Sequence, residues 1–128
     1  MKAVLFGLLT LGTLSVFAAE CPAQWGDDNF HEIVTSEIIK SFDCNSGVEI
    51  ANACGMGNSN DQLIFGAAEK KCEKTFSRKK SEVALFKELT NRCSKKYSQS
   101  RGTMYISMHA ACRMNSAQLI SEVNSSVE

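Results

Sequence analysis

The chain has a single proline in 128 residues and few runs of β-branched residues. Proline interrupts helices and β-branched residues favour strands, so their scarcity indicates a helical protein. No glycine-rich phosphate loop, paired Asp/Glu motif or Ser-His-Asp order stands out. Ladders of aromatic residues, on which single-stranded nucleic acids stack, are also missing. We therefore predict a protein that is not an enzyme and has no nucleic-acid partner.

Long apolar runs are confined to the first 19 residues, so we predict no membrane span in the remainder of the chain. Lys2 supplies a positive end, and the apolar run Ala3–Phe17 follows it. This pattern is typical of a secretory signal peptide and is too short for a stable anchor. We predict a signal peptide over 1–19, cleaved after Ala18 or Ala19, and one domain over 20–128.

Cysteine is the residue type that is abundant, and all six cysteines follow the predicted cleavage site. An even number of cysteines in an exported chain indicates three disulfides and an oxidising location, the bacterial periplasm or the extracellular space. No pair has the Cys-x-x-Cys spacing of zinc or redox motifs, so we predict no metal ion and no cofactor. A catalytic thiol is disfavoured because every cysteine has a possible partner.

The spacing of the cysteines predicts one pairing directly. Cys93 and Cys112 fall on consecutive helical patterns joined by a short loop, so an antiparallel hairpin brings them together. Four cysteines remain and allow three pairings: Cys21, Cys44, Cys54 and Cys72. Hairpin geometry favours Cys44 with Cys72, which leaves Cys21 with Cys54, while local closure of Cys44 with Cys54 is the alternative. Each closure contributes on the order of 3 kcal/mol in the chain-entropy model.

Helical periodicity predicts an all-α fold, with four to five helices in a small bundle cross-linked by three disulfides. The first helix is predicted to be capped by Asp27 or Asp28, and the second to begin at the capping-box sequence that starts with Ser46. The third is predicted to begin near Asn60, and the fifth to be capped by Thr103. Trp25 is expected to cover the edge of the core. The predicted inward positions of three helices are Phe30, Ile33, Val34, Ile38 and Phe42 (first), Val83, Phe86, Leu89, Cys93 and Tyr97 (fourth), and Met104, Met108, Ala111, Cys112, Leu119 and Val123 (fifth).

Charge is balanced over the chain but not along it. Residues 20–68 contain eight acids and one base, whereas residues 69–101 contain eleven bases and four acids. One interpretation is that acidic and basic helices pack together and neutralise each other. The other is that each half presents a surface of one sign to a partner. The candidate contact residues are then Asp27, Asp28 and Glu32 in the acidic part, and Lys70, Lys71, Lys74, Arg78, Lys79 and Lys80 in the basic part.

Several short motifs follow one another along the chain in an order that a known family shares. They are Ser41-Phe42-Asp43-Cys44, Val48-Glu49 before Ala53-Cys54, Asp61-Gln62-Leu63, Arg92-Cys93, Gly102-Thr103 and Cys112. In these motifs the chain resembles the lysozyme-inhibitor LprI-like family of small exported helical domains, over residues 41–120. The resemblance implies a secreted or periplasmic binding protein that inhibits lysozyme or another cell-wall hydrolase.

Two functions are therefore expected. In the first, the acidic surface approaches the cleft of a cationic lysozyme-type hydrolase. In the alternative, the basic 70–80 stretch recognises an anionic glycan or lipid head group of the cell envelope.

The sequence also contains two local patterns that could carry chemistry. His31 and Glu32 could form a general acid–base pair, but a surface histidine near a helix start is the simpler explanation. Met104, Met108 and His109 could form a copper site, but core methionines beside an exposed histidine are the simpler explanation.

Overall fold

The computed structural model describes residues 19–126, so residues 1–18 of the predicted signal peptide lie outside the described part. Within that part the chain is all-helical and contains no strand, which confirms the predicted fold class. The five helices are α1 (Phe30–Lys40), α2 (Cys44–Cys54), α3 (Asp61–Glu73), α4 (Lys80–Tyr97) and α5 (Thr103–Ser125).

Helix α3 is the centre of the fold, because it packs against α1, α2 and α5. Its apolar positions recur every three or four residues, which places one stripe of side chains in the core. Helix α4 is peripheral, and in the described part of the chain its only helix contact is with α5. The largest fully buried apolar side chains are Phe76, Ile38, Ile64, Met114, Val34 and Val48.

Three disulfides join the elements, and they are the same pairs that the spacing favoured. Cys21–Cys54 ties the N-terminal segment to the end of α2, and Cys44–Cys72 ties the start of α2 to the end of α3. Cys93–Cys112 joins α4 to α5. Their Cα–Cα distances of 5.0, 4.6 and 5.8 Å lie in the normal range for disulfides. The alternative closure of Cys44 with Cys54 does not form.

The predicted cap of α1 is wrong. Asn29 occupies the N-cap position, and its side chain makes no capping hydrogen bond. The Asp27 carboxylate instead accepts a hydrogen bond from the Gln24 backbone N–H at 3.0 Å, which closes the turn before the helix. The carboxylate is therefore engaged upstream of the helix whose first turn it was expected to cap.

The predicted start of α2 is also wrong by two residues. The helix begins at Cys44, with Asp43 at the N-cap, and Asp43 Oδ1 accepts from the backbone N–H and the hydroxyl of Ser46 at 2.8 and 2.7 Å. These hydrogen bonds stabilise the charged form, so they hold the pKa of Asp43 below its ordinary value. Asp43 is thus the cap that the helix uses, and Ser46 supplies two donors to it.

Helix α5 buries a different stripe from the one predicted. Met104, Met108, Leu119 and Val123 are exposed, whereas the face against α3 carries Ser107, Ala110, Met114, Ala117, Ile120, Ser121 and Asn124. The buried stripe combines small residues with the large Met114 and Ile120, and its Ser107 donates a hydrogen bond to the buried Asp61 at the start of α3. Gly102, not Thr103, is the N-cap, and its φ of +110° suits a residue without a side chain.

Other predicted core positions are exposed as well. Helix α1 ends at Lys40, so Phe42 lies beyond it and 97% of its surface is accessible. Ile33 is also exposed, because it lies beside the buried face of α1, and Val83 is exposed in the first turn of α4. Trp25 is half exposed and stacks on Phe30 at a ring-centroid distance of 4.9 Å, so it covers the core edge only partly.

Candidate functional site

The basic 70–80 stretch divides into structural and exposed residues. Lys71 donates hydrogen bonds from Nζ to the carbonyls of Ile39 and Ser41, at 3.0 and 2.6 Å, and so satisfies the C-terminal end of α1. Lys79 Nζ donates to the side chain of Asn124 at 2.7 Å, which ties the start of α4 to α5. Five basic side chains of the stretch are exposed, and one of them, Lys79, also holds Asn124: Lys70, Lys74, Arg78, Lys79 and Lys80. The predicted surface is therefore smaller than the sequence suggested.

An apolar patch lies beside two of these lysines. We call the three exposed apolar side chains of Ile39, Phe42 and Leu63, together with Lys70 and Lys74, the Phe42 patch. Ile39, Leu63 and the two lysines line a shallow groove of about 370 Å³ between α1 and α3. Phe42 follows Ser41, whose carbonyl is held by Lys71, so the turn that carries the exposed ring is anchored to α3.

The acidic candidates lie on the N-terminal segment and the first turn of α1. Asp27, Asp28 and Glu32 are all exposed. The segment is anchored, because the Cys21–Cys54 disulfide precedes it and Trp25 stacks on Phe30 within it. An acidic surface is thus present, although the Asp27 carboxylate also holds a turn.

The two charged parts of the chain are only partly neutralised by packing. Helix α3 brings Lys70 and Lys71 beside α1, but the lysine-rich α4 contacts neither α1 nor α2 in the described residues. Lys71 meets backbone carbonyls of α1 and not its carboxylates. The exposed acids and bases therefore remain available as separate surfaces.

A charged cluster that sequence reasoning missed joins α3 to α5. Arg113 donates to both carboxylate oxygens of Glu69, from Nε at 3.2 Å and from a terminal nitrogen at 2.6 Å. Glu69 is only 7% exposed, and its hydrogen bonds raise the pKa of Arg113. Partial burial, followed by repulsion from Glu69, raises the pKa of the neighbouring Glu73. The spacing of Glu69 and Glu73 by four residues was the available sequence signal.

Replacing Glu73 by Gln is expected to stabilise the fold near pH 7. A raised pKa means that folding disfavours the ionised carboxylate, so its ionisation costs stability once the pH exceeds the ordinary value of 4.5. The gain should be below about 1 kcal/mol, because the side chain is partly in contact with solvent. Urea unfolding of Glu73→Gln and wild type, at neutral and acidic pH, measures it.

The gain should disappear below pH 4, because the wild-type carboxyl is then protonated in both the folded and the unfolded state. Glu49→Gln, an exposed substitution on α2, serves as the control and should change little. A gain for Glu73→Gln that persists unchanged at low pH would contradict this explanation.

One cavity is lined by two carboxylates, those of Asp43 and Glu122, and has a volume of about 320 Å³. A hydrolase with a carboxylate pair needs one member with a raised pKa to act as the acid. Asp43 has a lowered pKa because it caps α2, and Glu122 accepts a hydrogen bond from Gln118 at 3.3 Å. The Asp43 carboxylate is therefore engaged as the cap of α2.

The local hypotheses for the two histidines are not supported by geometry. The Nε2 atom of His31 is buried without a hydrogen-bond partner among the described residues, so it is not bonded to the exposed Glu32. His109 contacts Ser94, while Met104 and Met108 are exposed. Within residues 19–126 there is no group of three or more His, Cys, Asp or Glu residues that could hold a metal ion.

Comparison with protein-family models, curated proteins and solved structures finds no match to this chain. The likeness to the LprI-like family accordingly stays a prediction. Among the described helices, none is both long enough and apolar enough to cross a bilayer.

Proposed function

We propose that this chain is an exported, non-enzymatic binding protein that docks on anionic lipid head groups of the cell envelope through the Phe42 patch. The observation that carries the proposal is the exposure of Phe42, at 97%, on a turn that Lys71 ties to the end of α3, where Lys70 and Lys74 are also exposed. Three disulfides and the predicted signal peptide support an oxidising location, the periplasm or the extracellular space.

An exposed aromatic beside lysines suits a membrane interface on energetic grounds. Burial of a phenylalanine side chain is worth about 2 kcal/mol. Each lysine near an anionic surface adds about 1 kcal/mol. The sum of about 4 kcal/mol corresponds to weak, reversible binding in which both contributions are needed.

Co-sedimentation with lipid vesicles tests this function. Vesicles with about a third of anionic phospholipid should retain the mature protein, while neutral vesicles should not, and retention should fall as salt screens the lysines. Phe42→Ser is expected to weaken binding about thirtyfold, from the lost burial of the ring. Lys70→Gln with Lys74→Gln should remove most of the salt dependence.

Matched controls lie on α4, away from the patch. Lys87→Gln with Lys95→Gln removes the same charge from exposed positions and should leave binding nearly unchanged. Equal losses in the two lysine double variants would mean that net charge, and not the patch, attracts the protein. Retention that is independent of lipid charge, or absent, would reject the proposal, and binding to purified anionic glycan alone would assign the patch to a different ligand.

A second candidate function is inhibition of a lysozyme-type hydrolase. It is favoured by the exposure of Asp27, Asp28 and Glu32 on a segment anchored by a disulfide. Such a surface would approach a cationic enzyme and block its cleft. Titration of the oxidised protein into lysozyme assays should lower the hydrolysis rate, and Asp28→Asn with Glu32→Gln should restore it, whereas Glu49→Gln should not. Unchanged hydrolysis at large excess, with several lysozyme types, rejects this function.

A further inference from the structure

A polar and aromatic cavity lies where α4 turns into α5. Its volume is about 460 Å³. The side chains that matter here are Gln62, Ser94, Tyr97, Arg101, Tyr105 and His109. The Cys93–Cys112 disulfide lies beside it and holds its two walls together, since Cys93 precedes Ser94 and Cys112 follows His109 by three residues.

The hydrogen bond between Ser94 and His109 runs in the wrong direction for a nucleophile and its base. The Ser94 hydroxyl donates its one proton to the Thr90 carbonyl at 3.1 Å. Its oxygen lies 3.2 Å from His109 Nε2, so we assign Nε2–H as the donor in that contact. A nucleophilic serine would have to donate to the histidine. With Nε2–H as the donor, Nδ1 of His109 is left to accept a hydrogen bond from a ligand.

The charge of the cavity is positive. Arg101 is exposed at its rim and has no ion-pair partner in residues 19–126, and none of the residues that line the cavity is Asp or Glu. A guanidinium presents parallel N–H donors that match a carboxylate in a two-point contact. The cavity thus provides a cationic group for an anionic substituent, without an acid to repel it.

The walls of the cavity suit a sugar ring. Tyr97 and Tyr105 are half buried and line the cavity, each with a hydroxyl at one end of its ring, and Lys96 Nζ lies 5.5 Å from the centroid of the Tyr97 ring. The Tyr97 and His109 rings lie 6.3 Å apart between centroids and are inclined at 59°, so they form an angled wall and not a closed stack. Gln62 adds an amide that both donates and accepts hydrogen bonds. Aromatic surface with mixed donors and acceptors matches the apolar face and the hydroxyls of a saccharide.

We infer that this cavity binds a sugar that carries a carboxylate, with Arg101 on the carboxylate and the tyrosines against the ring. The inference does not depend on the Phe42 patch, because Ile39, Phe42, Lys70 and Lys74 do not line this cavity. Gln62 lines both this cavity and the groove of the Phe42 patch, so the two sites are neighbours on the surface.

Matched ligands test the inference by NMR titration of the mature, oxidised protein. N-acetylmuramic acid and N-acetylglucosamine share a ring and differ in the lactyl ether that carries the carboxylate, and glucuronate and glucose form a second pair that differs at one carbon. In at least one pair, the carboxylated sugar should bind with a dissociation constant in the millimolar range and about tenfold more tightly than its neutral partner, as one charge-assisted contact predicts. The resonances of Tyr97, Tyr105 and His109 should shift.

Arg101→Gln should abolish the preference for the carboxylated sugar while leaving weak binding of the neutral one. Lys95→Gln, an exposed change of the same charge outside the cavity, should preserve the preference. Both substitutions are at exposed positions, and circular dichroism would verify the fold. Equal binding within both pairs, a preference that survives Arg101→Gln, or no saturation by either carboxylated sugar at about 50 mM would overturn the inference. Vesicle binding by Arg101→Gln should be unaffected, which separates this outcome from that of the proposed function.

Discussion

Removing the Cys44–Cys72 disulfide by a double substitution to Ala is expected to destabilise the fold more than removing either of the other two. The three bridges span 33, 28 and 19 residues, and chain entropy alone would give them nearly equal contributions of about 3 to 4 kcal/mol. The three disulfides differ in how deeply their cysteines are buried. Both sulfurs of Cys44–Cys72 lie on almost fully buried residues, whereas Cys21 and Cys112 are partly exposed.

The loss should reach about 5 kcal/mol for Cys44→Ala with Cys72→Ala, because a cavity in the core adds to the lost constraint. Cys93→Ala with Cys112→Ala is the matched comparison and should cost about 3 kcal/mol. Guanidinium unfolding monitored by circular dichroism measures both. A larger loss for the Cys93–Cys112 pair would show that the hairpin of α4 and α5, and not the core around α3, carries most of the stability.

The second large effect is expected at Asp61. Its side chain is 1% exposed and accepts hydrogen bonds from the backbone N–H groups of Met56, Gly57 and Asn58, at 2.7 to 3.3 Å. It also accepts from the Ser107 hydroxyl at 2.6 Å, which connects the loop before α3 to the start of α5. One carboxylate therefore satisfies donors from two parts of the chain.

Asp61→Ala should lower the free energy of unfolding by about 4 kcal/mol, because several buried donors lose their acceptor. Asp61→Asn should cost about 2 kcal/mol, since an amide nitrogen replaces one accepting oxygen. Ser107→Ala removes a single charge-assisted hydrogen bond and should cost about 1.5 kcal/mol. Urea denaturation gives these values, with exposed Asp28→Asn as the control.

A cost for Asp61→Ala no larger than that for Ser107→Ala would contradict the role of Asp61 as the acceptor for the 56–58 loop. Hydrogen exchange offers an independent measurement, because the amides of Met56 and Gly57 should lose protection in Asp61→Ala. Protection that survives the substitution would show that the loop is held by other contacts.

The outcomes for individual helices show where sequence reasoning succeeded. The apolar period of α3 was sufficient to predict the helical fold class. The cysteines at both ends of the α2–α3 hairpin were sufficient to favour the disulfide pairs that form. Helix starts were less predictable, because Asp43 and Ser46 are both good caps and only the hydrogen-bond geometry shows which of them is used. Asp27 was misjudged for the same reason, as its carboxylate serves the preceding turn.

The candidate sites depended more strongly on packing. The four-residue spacings of Tyr97 with Arg101 and of Tyr105 with His109 are visible in the sequence, but nothing in it places the two pairs around one cavity. Lys71 and Lys79 look the same as Lys70 and Lys74 in sequence, yet the first two donate to α1 and α5. A lysine becomes structural only when another segment presents an acceptor within its reach.

Local periodicity and cysteine spacing determined that this chain forms disulfide-linked helices, because both depend on neighbours along the chain. The period of α1 already predicted its buried Phe30, Val34 and Ile38, whereas the tertiary structure alone decided which face of α5 is buried. Helix α5 shows the reason most directly: its buried face holds Met114 and Ile120, while Met104 and Leu119 remain exposed. That choice depends on which face meets α3 in the folded chain, and the sequence of α5 does not contain that information.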